Sequence, residues 1–533
     1  MAIIHVKNKR NGTTYVYESS NYWDKGKKQS RSKRVCIGKL DDEGNMIPSK
    51  RLNERESLAC PMKRGSVAAV ETTRSFYGAT YLFDAIGDKL GITEDLKRCF
   101  PDTYKQILSV AYYLILEDSN PLSRFEKWGS IHKHPFGKDI SSQRSSDLFA
   151  SITESSKEKF FRCQGKRRIE NEYWAYDTTT ISSYSTVLKQ VQYGKNKEDD
   201  RLPQLNLALV FGEKSGLPFY YRKLAGNIPD SKTVKTLIED LDILGFQKVK
   251  LVMDRGFYSE ANINGLYKEH LKFLIASKIS LSFVRKELDT IYDDISMFSN
   301  YDNNLGVYSM TVASEWNYTQ ERPYKKDTIE DKRRIYIHLY YNIDKAAEDA
   351  KKFDSMLSEL QKELLSGKRV ERHESQYKKY FEVKTTPKRG TQVTAKADAI
   401  KAAKRYYGYF VLLSNEKMDS VTALYLYRNK DVVEKAFGNL KDRLNMRRML
   451  VSSEKSLNGK LFVEFVALIY LSYINKQMKE QKLFEDYTMQ EVFDKLDVIE
   501  CFEHPGQELR VGELLEKQKK LYIDMEVDPP TTL

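Results

Sequence analysis

Cysteine is scarce and scattered. Cys36, Cys60, Cys99, Cys163 and Cys501 form no CxxC pair and no Cys/His cluster. That spacing excludes a zinc finger or ribbon. An odd, dispersed set also argues against a disulfide framework and fits a reducing cytosol. The N-terminal MAIIHVKNKRNG has no apolar h-region, so secretion is not expected. A long hydrophobic run is missing as well. The most apolar stretch, 461–474, is short for a membrane span and contains Glu464, so it reads as a buried helix and no membrane partner is expected. Charge is not scarce: 31% of residues are charged and 41% hydrophobic, a balance that excludes a disordered chain.

What is present is a basic excess. The formal net charge is +13, and residues 1–75 hold 16 Lys+Arg against 8 Asp+Glu. A concentrated excess of this kind points to a polyanionic partner. The 533 residues can bury a sizeable core and suffice for about three or four domains.

Residues 1–58 alternate apolar and polar positions, as in Thr14-Tyr15-Val16-Tyr17, with turn signals at Asn11-Gly12 and Lys25-Gly26-Lys27. That pattern predicts a small antiparallel sheet with a basic hairpin, QSRSKR. Arg31, Lys33 and Arg34 in that hairpin, interleaved with nearby aromatics, are candidate DNA contacts. Residues 70–165 carry helix-period apolar spacing at 76–90 and 104–116. The segment SSQRSSDLFASI at 141–152 fits either the second helix of a helix-turn-helix or a plain helical spacer.

From 170 the rhythm changes. Strands are predicted at 173–178, 205–211 and 217–224, with GEKSG at 212–216 as a hairpin loop. Asp230 is placed to cap a helix running to about 244. A buried-type strand at 249–253 ends at Asp254, and then come a helix at 259–269 and a strand at 273–276. This order predicts an α/β fold with a central mixed sheet. Residues 280–415 interrupt it with strand-like pieces, a charged helix at 343–365 and a basic run at 368–404 that reads either as a solvated insertion or as a DNA contact. The expected organisation is a small basic β-rich region at 1–60 and a helical region at 61–168, both DNA-binding. A core comes next at 169–280 and 416–480 with an insertion at 281–415, and then a C-terminal helical tail at 481–533.

The segment YRNKDVVEKAFGNLK at 427–441 reads as one helix. At about 100° per residue, Tyr427, Lys430, Glu434 and Lys441 share one face, and Val433, Phe437, Leu440 and Leu444 form a stripe to be buried. Asp177 and Asp254 fall at the ends of predicted apolar strands, where an unpaired acid is costly. Two strand carboxylates and a helix carboxylate make a hard-oxygen site suited to Mg²⁺ or Mn²⁺. A pair of such ions can activate a water or a 3′-hydroxyl at a phosphodiester.

These residues carry a family resemblance. YDTTT at 176–180, GLPFYYRKLAGNIPDSKT at 216–233, VMDRGFYS at 252–259 and the 427–441 segment resemble bacterial insertion-sequence transposases of the DDE type, in the IS-four-like superfamily. Tyr427, Glu434 and Lys441 match that superfamily's Tyr-x2-Arg-x3-Glu-x6-Lys signature, with Lys430 where arginine is usual. Lysine keeps the charge but not the bidentate fork. The spacings, 77 residues from Asp177 to Asp254 and 180 from there to Glu434, also fit.

The resemblance implies a ribonuclease-H-like core in which Asp177, Asp254 and Glu434 are catalytic and bind two Mg²⁺ (or Mn²⁺) ions. Tyr427, Lys430 and Lys441 would contact the cleaved strand. The implied activity is cleavage at element ends and transfer of the 3′-hydroxyl ends into target DNA, by a homodimer on double-stranded DNA in the bacterial cytoplasm. The alternatives are a ribonuclease-H-like nuclease without strand transfer and a catalytically silent, transposase-derived DNA-binding protein. Trp316, the only tryptophan between Asp254 and Glu434, is the default candidate to support a flipped base, against the competing reading of a buried core residue.

Overall fold

A computed structural model describes residues 2–9, 12–24, 29–41, 44–49, 72–118, 120–167, 172–185, 187–195, 197, 202–246, 248–322, 327–386, 390–444, 448–449 and 453–531. Residues 1–75, 501–512 and 531–533 make one compact unit; residues 76–500 and 513–530 make another. The expected boundary near residue 60 and the Lys25-Gly26-Lys27 turn lie outside the described residues.

The first unit contains an antiparallel sheet of β1 (Ala2–Lys7), β2 (Thr14–Asp24), β3 (Gln29–Leu40) and β4 (Met46–Pro48), paired in sequence order. The alternation read at 14–17 puts Val16 inward. The QSRSKR segment lies on a strand arm of the antiparallel pairing, as the predicted basic hairpin requires. It opens β3, with Arg31 opposite Tyr22, Lys33 opposite Ser20 and Arg34 opposite Ser19. Arg31, Lys33 and Arg34 are exposed on it.

The second unit begins with helices, among them α1 (Gly78–Lys89), α2 (Tyr104–Leu116), α3 (Ser142–Ser151) and α4 (Glu154–Lys166). The 141–152 segment is helical from Ser142, with the Ser141 hydroxyl accepting the Arg144 N–H. Its buried positions are Ser145, Leu148 and Phe149.

The core keeps the predicted order. Strands β5 (Trp174–Ser183), β6 (Gln204–Gly212) and β7 (Pro218–Ala225) are antiparallel neighbours. Helix α5 (Asp230–Ile243) leads to β8 (Lys250–Met253), which lies parallel to β5 with Tyr176 opposite Met253. Helix α6 (Glu260–Lys268) leads to β9 (Lys272–Ser277), parallel to β8. Every residue of β5 and β6 is buried, the mark of strands covered on both faces. The β6–β7 loop closes through the Gly212 N–H to the Leu217 carbonyl at 3.0 Å, with Gly216 at φ +67°.

Residues 281–415 contribute to this same sheet. Strands β10 (Tyr301–Asp302), β11 (Val307–Arg322), β12 (Asp327–Tyr341) and β15 (Tyr409–Ser414) extend it in the order β10-β11-β12-β15-β9-β8-β5-β6-β7. The two strands between, β13 (Phe381–Thr386) and β14 (Gly390–Ala395), form a separate two-stranded sheet among the described residues. Beside them the charged helix α7 (Ile343–Ser366) buries Leu357, Leu360 and Leu364 against Tyr377, Tyr380 and Phe381, a small core of its own. Trp316 on β11 is buried, edge-on to Phe283 at 5.6 Å, with its indole N–H on Asn264 Oδ1 at 2.7 Å. The core reading of Trp316 is therefore the observed one.

Further helices of the unit include α8 (Ser420–Asn429), α9 (Asp431–Gly438) and α10 (Glu454–Glu480). α10 is long and apolar enough to cross a membrane, but its apolar stretch is buried inside the protein. It runs so close to α3 that a Cβ on Gly459 would lie 2.1 Å from the Phe149 carbonyl oxygen.

Candidate active site

Asp177 lies in the middle of β5, not at its end. The strand runs further than its apolar pattern implied, because Thr178 to Ser183 pair with β6 and are buried there. Asp254 comes directly after the last residue of β8, in extended backbone before a tight turn at Arg255–Phe257. Parallel pairing of β5 with β8 sets Tyr176 opposite Met253, so the next residue on each chain segment, Asp177 and Asp254, are neighbours.

The third acid comes from the 427–441 segment, which is not one straight helix. α8 ends at Asn429 and α9 starts at Asp431. Lys430 sits in a tightened turn, its N–H 3.3 Å from the Tyr427 carbonyl and its own carbonyl 2.9 Å from the Val433 N–H. A π turn then occupies Asn439–Arg443. Each departure from 3.6 residues per turn rotates the residues beyond it, so the straight-helix phase does not carry as far as Lys441. The apolar stripe survives: Val433, Phe437, Leu440 and Leu444 are all buried.

One carboxylate oxygen from each of Asp177, Asp254 and Glu434 lies within 4.8 Å of the other two. Lys430 threads between them, with Nζ 3.2 Å from Asp254 Oδ1 and 3.5 Å from Glu434 Oε1. Its side chain is only 3% exposed, whereas that of Glu434 is 62% exposed, so the site opens on the Glu434 side. The Tyr427 hydroxyl donates to Asp254 Oδ1 at 2.5 Å.

Burial and crowding set the electrostatics. Burial pushes the Asp177 carboxyl up to about 6, and the neighbouring Asp254 adds to the rise. Lys197, the Thr178 N–H and Lys430 oppose it. Burial alone would lower the Lys430 ammonium, but Asp254 and Asp177 outweigh it and hold the group above its ordinary value. Burial and then the Asp254 charge raise the Tyr427 hydroxyl, which stays protonated and donates.

Three further residues, Asp230, Lys197 and Thr178, are linked beside Asp177. Asp230 is the first residue of α5, and Pro229 takes the cap position without a side-chain bond. The Asp230 carboxylate instead accepts from Thr178 Oγ1 at 2.5 Å. Lys197 Nζ donates to the Thr178 carbonyl at 2.6 Å and to Thr178 Oγ1 at 3.1 Å, and lies 3.7 Å from Asp230 Oδ2. Thr178 stands next to Asp177 in YDTTT, but nothing local marks Lys197 as its partner. Arg31, Lys33 and Arg34 belong to the other compact unit.

The donor set suits a divalent cation. It is all carboxylate oxygen, and one member is deeply buried. The family model described as "Transposase DDE domain" matches residues 173–470, more than half of the chain and the whole span that carries the three acids. The chain belongs to the DDE transposase family. No curated protein matches it. Two solved transposases resemble this DDE chain in structure. One is a piggyBac transposase synaptic complex with hairpin DNA, determined by cryo-EM, at 11% identity over 79% of this chain and 71% of that one, with a TM-score of 0.31. The other is a Mos1 transposase paired-end complex with a left transposon end, at 10% identity over 44% and 69% and a TM-score of 0.15. At those scores neither likeness adds to the family assignment.

Proposed function

We propose that this transposase cuts DNA at the ends of an insertion sequence and joins the freed 3′-hydroxyls to target DNA, as a member of the IS-four-like group. The observation that carries the reading is the convergence of Asp177, Asp254 and Glu434 within 4.8 Å. These three would hold divalent Mg²⁺ or Mn²⁺, two ions in the reading the chemistry favours. When bound, the metal supplies Lewis-acid stabilisation of phosphoryl oxygens and a more acidic attacking hydroxyl.

The protein's own groups do the rest. Tyr427 fixes one oxygen of Asp254 by donation, leaving the other free to coordinate. Lys430 holds Asp254 and Glu434 in register and keeps positive charge where a phosphodiester must approach three acids. Lys441, on the same segment, would contact the cleaved strand beyond them, and Arg31, Lys33 and Arg34 would grip DNA at a distance from the cut. The protein would act in the bacterial cytoplasm as a homodimer, since two ends must be held together.

The test is Glu434→Gln on a duplex carrying the element's terminus. DNA binding should persist and Mg²⁺-dependent cleavage should vanish; cleavage that survives overturns the site. A nuclease without strand transfer would use the same three acids. A pre-cut 3′-hydroxyl end incubated with target plasmid separates the two, because only a transposase yields joined product.

A further inference from the structure

Helices α8 and α9 face two ways. Tyr427, Lys430 and Glu434 meet the acids, while Arg428, Lys435 and Asn439 line a separate cleft of about 640 Å³. Its other walls are the 213–216 hairpin and the last two turns of α10.

The chemistry of this cleft is that of an anion site. Lys214, Lys435 and Lys479 are exposed at its walls, and among the described residues none has a carboxylate within ion-pairing distance. Of its three acids, Glu480 lies 3.8 Å from Lys476, and Glu213 accepts from the Asn429 amide through Oε1 while its buried Oε2 has no hydrogen-bond partner among the described residues, so the five cations of the lining outnumber the acids but do not pair with all of them. A second, independent observation lies deeper. Ser472 is 6% exposed, lines the cleft, and its hydroxyl has no hydrogen-bond partner among the described residues. A helical serine ordinarily bonds the carbonyl one turn back. A buried hydroxyl left unpaired is destabilising, and an incoming acceptor oxygen relieves that.

The cleft holds no aromatic side chain among its described lining residues. It therefore offers no stacking platform for a base, and its cations suit the strand's backbone. We propose that this cleft seats backbone phosphates of the bound DNA, with Lys214, Lys435 and Lys479 neutralising them and the Ser472 hydroxyl donating. This inference rests on the DNA-transposase reading above. It makes the α8–α9 segment a two-sided reader: one side for the bond to be broken, the other for the backbone that keeps the strand in register.

The experiment is the salt dependence of binding to a random-sequence duplex, because backbone contacts need no particular sequence. For Lys214→Gln/Lys435→Gln/Lys479→Gln, the slope of log affinity against log salt should flatten by about 0.9 per phosphate left unneutralised, two to three units in all. Should the triple variant melt below the wild type, each single variant is read instead, with a flattening of about 0.9 expected from each. Ser472→Ala should remove one position from the phosphate-ethylation interference pattern. A wild type that binds and cleaves while the variants keep its slope and its interference pattern overturns the cleft alone. A wild type that binds no DNA overturns the transposase reading together with it.

Discussion

Lys430 Nζ lies 3.2 Å from Asp254 Oδ1, and the lysine side chain that carries it is almost wholly buried. That ammonium acts on all three converging carboxylates, and Lys197 adds its charge on the Asp177 side.

Removing that ammonium should make the protein depend on added cation. Lys430→Met is expected to cost about 1–2 kcal/mol without metal, since a buried charge pair is broken while Asp254 and Glu434 keep access to water. Mg²⁺ should then raise the melting temperature of the variant more than that of the wild type, because bound metal restores the missing charge. Equal Mg²⁺ shifts in the two proteins would show that Lys430 does not balance the acids.

Arg31, Lys33 and Arg34 stand exposed on β3. Changing all three to glutamine should weaken DNA binding and flatten its salt slope by about 0.9 for each phosphate no longer gripped, leaving the catalytic unit's melting behaviour alone. An unchanged slope would remove this strand from the DNA interface.

Glu464 is the buried acid of α10. Burial pushes its carboxyl from the ordinary 4.5 up to about 7, and Lys460, 3.6 Å away, offsets only part of the rise. Between those values the folded chain holds a proton that the unfolded chain has released. Wild-type stability therefore falls as pH rises from 4.5 to about 7 and stays lower above it. Glu464→Gln removes that penalty. The variant should gain about 1–3 kcal/mol in denaturant melts above pH 7 and nothing near pH 4. A gain independent of pH would rule out the buried charge as its source.

Gly459 and Gly438 are both helical glycines with opposite surroundings. A Cβ on Gly459 meets the Phe149 backbone, whereas one on Gly438 has nothing within 4 Å. Gly459→Ala should cost about 1–3 kcal/mol by forcing α10 away from α3. Gly438→Ala should be stabilising by about 0.5–1 kcal/mol, because alanine loses less backbone freedom on folding. Thermal melts of the pair check both signs, and a tolerated Gly459→Ala would contradict the close helix contact.

The sequence by itself determined what depends on near neighbours. Strand after strand of the core was readable because alternation and apolar runs are local, and the stripe Val433, Phe437, Leu440 and Leu444 was readable because helical period is local. The three acids could be named from their motifs, but their meeting could not be derived, since 77 and 180 residues separate them. Only the tertiary structure decided that β11, β12 and β15 join the core sheet, because strand pairing partners lie far away in the chain. It alone set Asp177 at mid-strand, broke the helix at Lys430, packed Trp316 into the interior, and brought Lys197 and Asp230 onto Thr178. Each of those outcomes is fixed by contacts between distant segments, where burial and charge pairing override what the local pattern prefers.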